Sequence, residues 1–218
     1  MHRNGRDSLK ISNYKYLGCA DYARLRCFRA GCETMVTAIK GKGGKEGPVE
    51  EANSALFRAV EKRDLKGVEE AIESGADPNA KRKDDVTPLM YAASYSDCPE
   101  IVELLIKKGA DVNARESQFG MTPLMFAAAY GTPEVLKMLI KNGANVNDAD
   151  NAGRTPLMYA AVYGKESNVK VLVENGAKVD ARDNDNATAE LYATLYGKKQ
   201  IAEFLKQKKA ESSPLDAL

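Results

Sequence analysis

The sequence predicts an all-α repeat solenoid, and three observations predict it. Thr-Pro-Leu-Met occurs at Thr87, Thr122 and Thr155, at spacings of 35 and 33 residues. Gly-Ala occurs at Gly75, Gly109, Gly143 and Gly176, at spacings of 34, 34 and 33. Two separate markers with one period define a repeat. Between the markers, apolar residues fall at helical spacing against a polar opposite face: Ile101, Leu104 and Leu105; Val135, Leu136, Leu139 and Ile140; Val169, Leu172 and Val173.

Three copies carry Thr-Pro-Leu-x-x-Ala-Ala, two of them a Gly that ends the first helix, and all of them a Gly-Ala-x-Val pattern after the second. These copies resemble the ankyrin repeat family over about residues 51–209. The resemblance implies a helix–turn–helix in each repeat, a hairpin-like loop between repeats, and protein binding rather than catalysis. The expected architecture is an ankyrin-repeat solenoid of about five repeats, at about 51–80, 81–114, 115–148, 149–181 and 182–209, with capping repeats at both ends. Residues 1–50 form a basic N-terminal extension with a Gly/Lys linker, and 210–218 a C-terminal tail.

The extension holds ten Lys or Arg against five Asp or Glu. Its apolar points between residues 14 and 38 have poor period, so a helix there is weakly predicted. Residues 40–48 are a flexible linker by composition. A translation start at Met35 is an alternative reading of residues 1–34. Cys19, Cys27 and Cys32 are separated by seven and four residues, and the chain's one His is His2. Zinc needs tighter Cys pairs and four ligands, so no metal is expected. Gly41-Lys-Gly-Gly-Lys lacks the Lys-Ser/Thr ending of a phosphate loop.

Repeat one has Asn53 or Ser54 as candidate helix cap, and its first helix is polar, as suits an end repeat. In repeats two to four Thr caps the first helix, and Pro occupies its first turn, where a missing N–H costs nothing. Leu89, Leu124 and Leu157 point inward, and the Ala pairs 92–93, 127–128 and 160–161 let helices approach. Gly131 and Gly164 are expected to end the first helix with positive φ. Repeat two has no such Gly, and its turn is one residue longer. Asp85 and Asn186 stand where Gly120 and Gly153 make the tight turn of the inter-repeat loop. Repeat five has lost the Pro, and Glu190 replaces the Leu. Where the family usually has His after Thr-Pro-Leu, this chain has Met90, Met125 and Met158, then Leu191. Met fills space but cannot donate the bond by which that His helps tie adjacent loops.

The candidate site is aromatic. Tyr95, Tyr130, Tyr163 and Tyr196 recur near the end of each first helix, with Lys62 at the same position in repeat one. Tyr91, Phe126, Tyr159 and Tyr192 lie four residues earlier, on the same helix face, and are expected to pack. The later row is expected to be exposed. The resemblance places it on the concave surface, where family members commonly bind partners. Tyr suits an interface because it joins apolar area to a hydroxyl. Loop tips add Arg82, Lys83, Phe119, Met121 and Arg154.

Composition excludes other classes. Charged residues are 29% of the chain and the formal net charge is +1, which gives no global pull toward nucleic acid or membrane. No apolar run approaches the roughly 18 residues of a membrane span. Four Cys without a signal peptide suggest reduced thiols and a cytoplasmic protein; delivery into another cell is the alternative. No catalytic constellation and no cofactor site is visible. The expected function is a non-enzymatic, monomeric module that binds a protein partner. The competing readings are an adaptor whose basic tail binds an acidic surface or nucleic acid, and chemistry at the N-terminal Cys residues.

Overall fold

Proline opens six of the helices, in the first turn where its ring and fixed φ are tolerated. The computed structural model describes residues 47–95, 98–163 and 165–212. In order these hold α1 (Pro48–Lys62), α2 (Leu65–Glu73), a 3-10 turn (Lys83–Asp85), α3 (Pro88–Ser94), α4 (Pro99–Lys107), α5 (Pro123–Tyr130), α6 (Pro133–Lys141), α7 (Pro156–Tyr163), α8 (Glu166–Glu174), α9 (Ala189–Leu195) and α10 (Lys199–Ser212). No strand occurs among the described residues. The expectations for residues 1–46, for Gly164 and for residues 213–218 lie outside the described residues.

The helices pair within each repeat and stack between repeats. Odd-numbered helices pack on odd-numbered helices, and even-numbered on even-numbered. The all-α solenoid of five helix pairs is therefore the observed fold. Its core is one continuous layer between the two rows: Leu56, Leu89, Leu124 and Leu157 are buried, as are the three Ala pairs. Gly75, Gly109, Gly143 and Gly176 follow the second helices with φ of 95°, 91°, 92° and 85°. That left-handed turn lets the chain reverse at each helix end. Asp85 and Asn186 take φ of 60° and 66° at the loop tips, as their places opposite Gly120 and Gly153 require.

Two ladders of hydrogen bonds tie each repeat to the next. On the side after the second helices, the Asn79 amide donates to Gly109 O at 2.9 Å and accepts from Asp111 N–H at 2.7 Å. Asn113 makes the same pair of bonds with Gly143 and Asn145, and Asn147 with Gly176 and Lys178. At the loop tips, Ser117 N–H donates to Asp84 O, Asn151 N–H to Phe119 O, and Asn184 N–H to Ala152 O, all at 2.8–3.0 Å. Adjacent loops are thus joined through backbone and Asn groups, and no imidazole is needed. The Met sulfurs act within their own repeats: Met90, Met125 and Met158 Sδ accept from the N–H of Thr87, Thr122 and Thr155, each at 3.5 Å. A buried thioether replaces a donor with a weak acceptor that closes the first helical turn.

Two local expectations are corrected. Asn53 and Ser54 do not cap the first helix, because α1 begins five residues earlier at Pro48. Glu50 Oε2 accepts from the Gly47 N–H there, and Asn53 Oδ1 instead accepts from Asp77 N–H at 2.8 Å, starting the Asn ladder. Gly131 does not take positive φ. Its φ is −72°, and it is glycine for room: a Cβ there would lie 2.6 Å from Ala93 O and 2.9 Å from Ala127 Cα. Both contacts are backbone and cannot swing aside. Gly131→Ala is therefore expected to destabilise the fold by about 1–3 kcal/mol, as overpacking does. A urea midpoint equal to that of the parent protein would refute this.

Candidate protein-binding surface

The first helices present two aromatic rows four residues apart. The earlier row packs, as expected. Phe126, Tyr159 and Tyr192 are buried and Tyr91 is half-buried. Two of them are pinned by the loop that precedes their helix. The Tyr159 hydroxyl donates to Asp150 Oδ2 at 2.7 Å, and the Tyr192 hydroxyl donates to Asp183 Oδ2. Repeat three has Phe126, which has no hydroxyl, and a longer side chain, Glu116, in place of the Asp. Glu116 spends its carboxylate on the N–H groups of Gln118, Phe119 and Met121. That satisfies the donors of the one-residue-longer loop.

Burial pushes the Tyr159 hydroxyl well above the usual tyrosine range. Burial, and then its bond to Asp183, push Tyr192 up as well. The unfolded chain releases these protons near pH 10, the folded chain only at higher pH. Stability should therefore be complete below about pH 10 and fall above it. The urea midpoint should fall progressively as pH rises above about 10, and the fall should shrink in the Tyr159→Phe/Tyr192→Phe variant. An equal drop in both proteins would refute the assignment.

The later row does not behave as one unit. Tyr130 and Tyr163 each end an eight-residue first helix, both half-buried. Their rings touch across the repeat boundary, with centroids 4.8 Å apart and planes at 57°. Tyr196 is half-buried just past α9. Tyr95 corrects the expectation of exposure. Helix α3 stops one residue short, at Ser94, so Tyr95 takes extended backbone (φ −90°, ψ 142°). Its ring is buried, with the Arg63 guanidinium 4.8 Å from the centroid.

The loop-tip residues also divide. Lys62 and Lys83 are exposed. Phe119 is half-buried. Arg82 lies over the Phe57 ring at 4.3 Å and near Tyr91 at 5.6 Å, and pairs with Glu61. Met121 and Arg154 correct the expectation of exposed tips, because both are buried. The Met121 N–H is drawn onto the Glu116 carboxylate at 3.0 Å, which turns the residue inward. Arg154 Nε donates to Asp150 Oδ2 at 2.8 Å, and its guanidinium lies 5.4 Å from the Tyr159 centroid.

Sequence reading missed the polar groups that hold this face in place. Asn168 is fully buried, and its amide donates to Ala127 O, Ala128 O and Gly131 O at 3.2–3.3 Å. Lys165 Nζ donates to Tyr130 O and, at 2.7 Å, to Gly131 O. Both side chains belong to repeat four and serve the carbonyls that end α5 in repeat three. The available signal was alignment on the helix-ending glycines. It puts Asn168 where Ile101 and Val135 stand, which is a core position.

Among the described residues, no group of three or more His, Cys, Asp or Glu is placed to hold a metal ion, and no helix is long and apolar enough to cross a membrane. Paired helices stacked in register and joined by repeating loop bonds define a helical-repeat solenoid. The family model described as ankyrin repeats (3 copies) matches residues 26–116, 115–183 and 148–216. The chain belongs to the ankyrin repeat family. The first match begins inside the segment that sequence reading sets apart as an extension. No curated protein matches the chain. Ankyrin repeats are generally protein–protein interaction modules.

Proposed function

We infer that this chain is a non-enzymatic binding module that takes one protein partner on the face built by α1, α3, α5, α7 and α9 and on the adjoining loop tips. The observation that carries this reading is the Tyr130–Tyr163 contact. Two half-buried rings from neighbouring repeats form one aromatic surface, and the backbone at the Tyr130 end of α5 is tied by Lys165 and Asn168. Aromatic area fixed before binding costs little entropy on association. Lys62, Arg82, Phe119 and Tyr196 are further contacts along the same face and its loop tips, whereas Tyr95, Met121 and Arg154 are buried and offer no contact surface.

The test is affinity capture from a native lysate with the full chain and with its Tyr130→Ala/Tyr163→Ala variant. Retention of the partner should fall at least about tenfold, the range of interface hot spots, while the far-ultraviolet circular dichroism stays the same. Undiminished retention, or a loss of helix content, would refute the site. Retention that survives the Tyr changes and vanishes with added salt would belong to the basic residues 1–50 instead.

A further inference from the structure

At the repeat-one end of this face the aromatic rows give way to cations. Arg58 and Lys62 hold the two row positions in α1, and both are exposed. Neither makes an ion pair within the described residues. Arg63 follows in a left-handed cap, φ 58°, with its guanidinium over Tyr95. Arg82 comes from the next loop and lies over Phe57 and Tyr91. Glu61 lies between Arg58 and Lys62 in sequence and is engaged by Arg82. Phe57 and Tyr91 lie within reach of the Arg82 guanidinium, and Tyr95 of the Arg63 guanidinium.

The remainder of the face has a different character. Tyr130, the nearer of the two rings, lies two repeats further along, about 20 Å away at about 10 Å per packed helix, and Tyr163 one repeat beyond it. An extended chain covers that distance in about six residues.

We propose that the first-helix face binds an extended acidic peptide segment of a partner protein, with its Asp or Glu residues at Arg58 and Lys62, beside Arg82, and an apolar or aromatic residue, about six positions away, on Tyr130 and Tyr163. This rests on the reading of the face as a partner site and adds the class and direction of what it binds. Charge decides between occupants. The chain's own residues 1–50 are basic, ten cations against five anions, and offer no charge complementary to the cluster. Residues 51–218 carry 22 Lys or Arg against 26 Asp or Glu. A long polyanion such as nucleic acid would gain at the cluster and lose along the rest, whereas a short acidic segment meets only the cluster.

The experiment is selection of a displayed library of random peptides, about twelve residues long, on the full chain at about 0.1 M salt. Labelled synthetic copies of the selected peptides are then measured by fluorescence anisotropy. The expected winners carry two or more Asp or Glu at one end and Leu, Phe or Tyr about six positions away. The Arg58→Gln/Lys62→Gln variant should bind them about tenfold more weakly. Both positions are exposed, so the fold should be unchanged by circular dichroism. A peptide with Gln at the acidic positions should bind both proteins equally. Winners that are neutral or basic, or no enrichment at all, would overturn the proposal, as would affinity unchanged in the double variant. So would competition by an oligothymidine of equal charge at equal concentration, which would mark a general anion surface. A sedimentation mass of two chains that falls to one on adding a selected peptide would assign the face to a second copy. The Tyr130→Ala/Tyr163→Ala variant separates the two readings: neutral winners that this variant fails to bind would overturn the acidic assignment and leave the face itself standing.

Discussion

Asp150→Ala is expected to destabilise the protein by about 3–5 kcal/mol, more than any surface change. The Asp150 side chain is wholly buried, and its Arg154 partner is 11% exposed. Its two oxygens accept from Ala152 N–H, Arg154 N–H, Arg154 Nε and the Tyr159 hydroxyl, at 2.7–2.9 Å. Each neutral bond is worth only about 1 kcal/mol net. The large cost comes from leaving a buried guanidinium without its carboxylate. Two comparisons isolate that cost. Tyr159→Phe should lose about 1 kcal/mol, since repeat three already runs with Phe126 at this position. Asp150→Ala/Arg154→Met should recover a good part of the loss, because the unpaired charge is gone. Urea midpoints of the three variants decide it. A loss under about 1 kcal/mol for Asp150→Ala would mean that water reaches the guanidinium and the loop is open.

Leu124→Ala should cost about 2–5 kcal/mol. Leu124 is buried at the centre of the stack, in register with Leu89 and Leu157, and the Ala pairs beside it have no side chain with which to fill the gap. Its position matters as much as its size. Each repeat touches only its neighbours, so stability is a chain of local terms and a weak middle link uncouples the two ends. The variant should unfold over a broader urea range than the parent. The chain has ten Tyr and no Trp, so tyrosine fluorescence, set against circular dichroism, reports the separation. Coincident, equally steep transitions at an unchanged midpoint would sink this expectation.

The repeat frame was legible because its markers are local. Gly109 or Gly143 needs only its own backbone turn to be recognised, and Thr-Pro only its own helix start. Burial in the rows was not legible, because it depends on neighbours that a register position does not encode. Tyr95 and Tyr130 occupy equivalent places, yet α3 ends one residue early and turns Tyr95 inward beneath Arg63. Arg154 and Met121 read as loop-tip residues in the sequence, but carboxylates of the same loops draw them inside. Asn168 carries no local marker in the sequence. Only its place opposite Ile101 and Val135 marks it as core, and only the structure shows which carbonyls it serves. Sequence reading placed the aromatic rows on the first helices and misjudged the burial of Tyr95.

The exchange of imidazole for thioether at Met90, Met125 and Met158 reaches beyond packing. Histidine is the one side chain whose ordinary protonation change falls between pH 5 and 8, and the chain's single histidine is His2. The ladder bonds between repeats run through Asn amides and backbone carbonyls, which gain no proton in that range. The repeats therefore carry no imidazole switch, and the register of one repeat on the next should be the same at about pH 6 as at about pH 8.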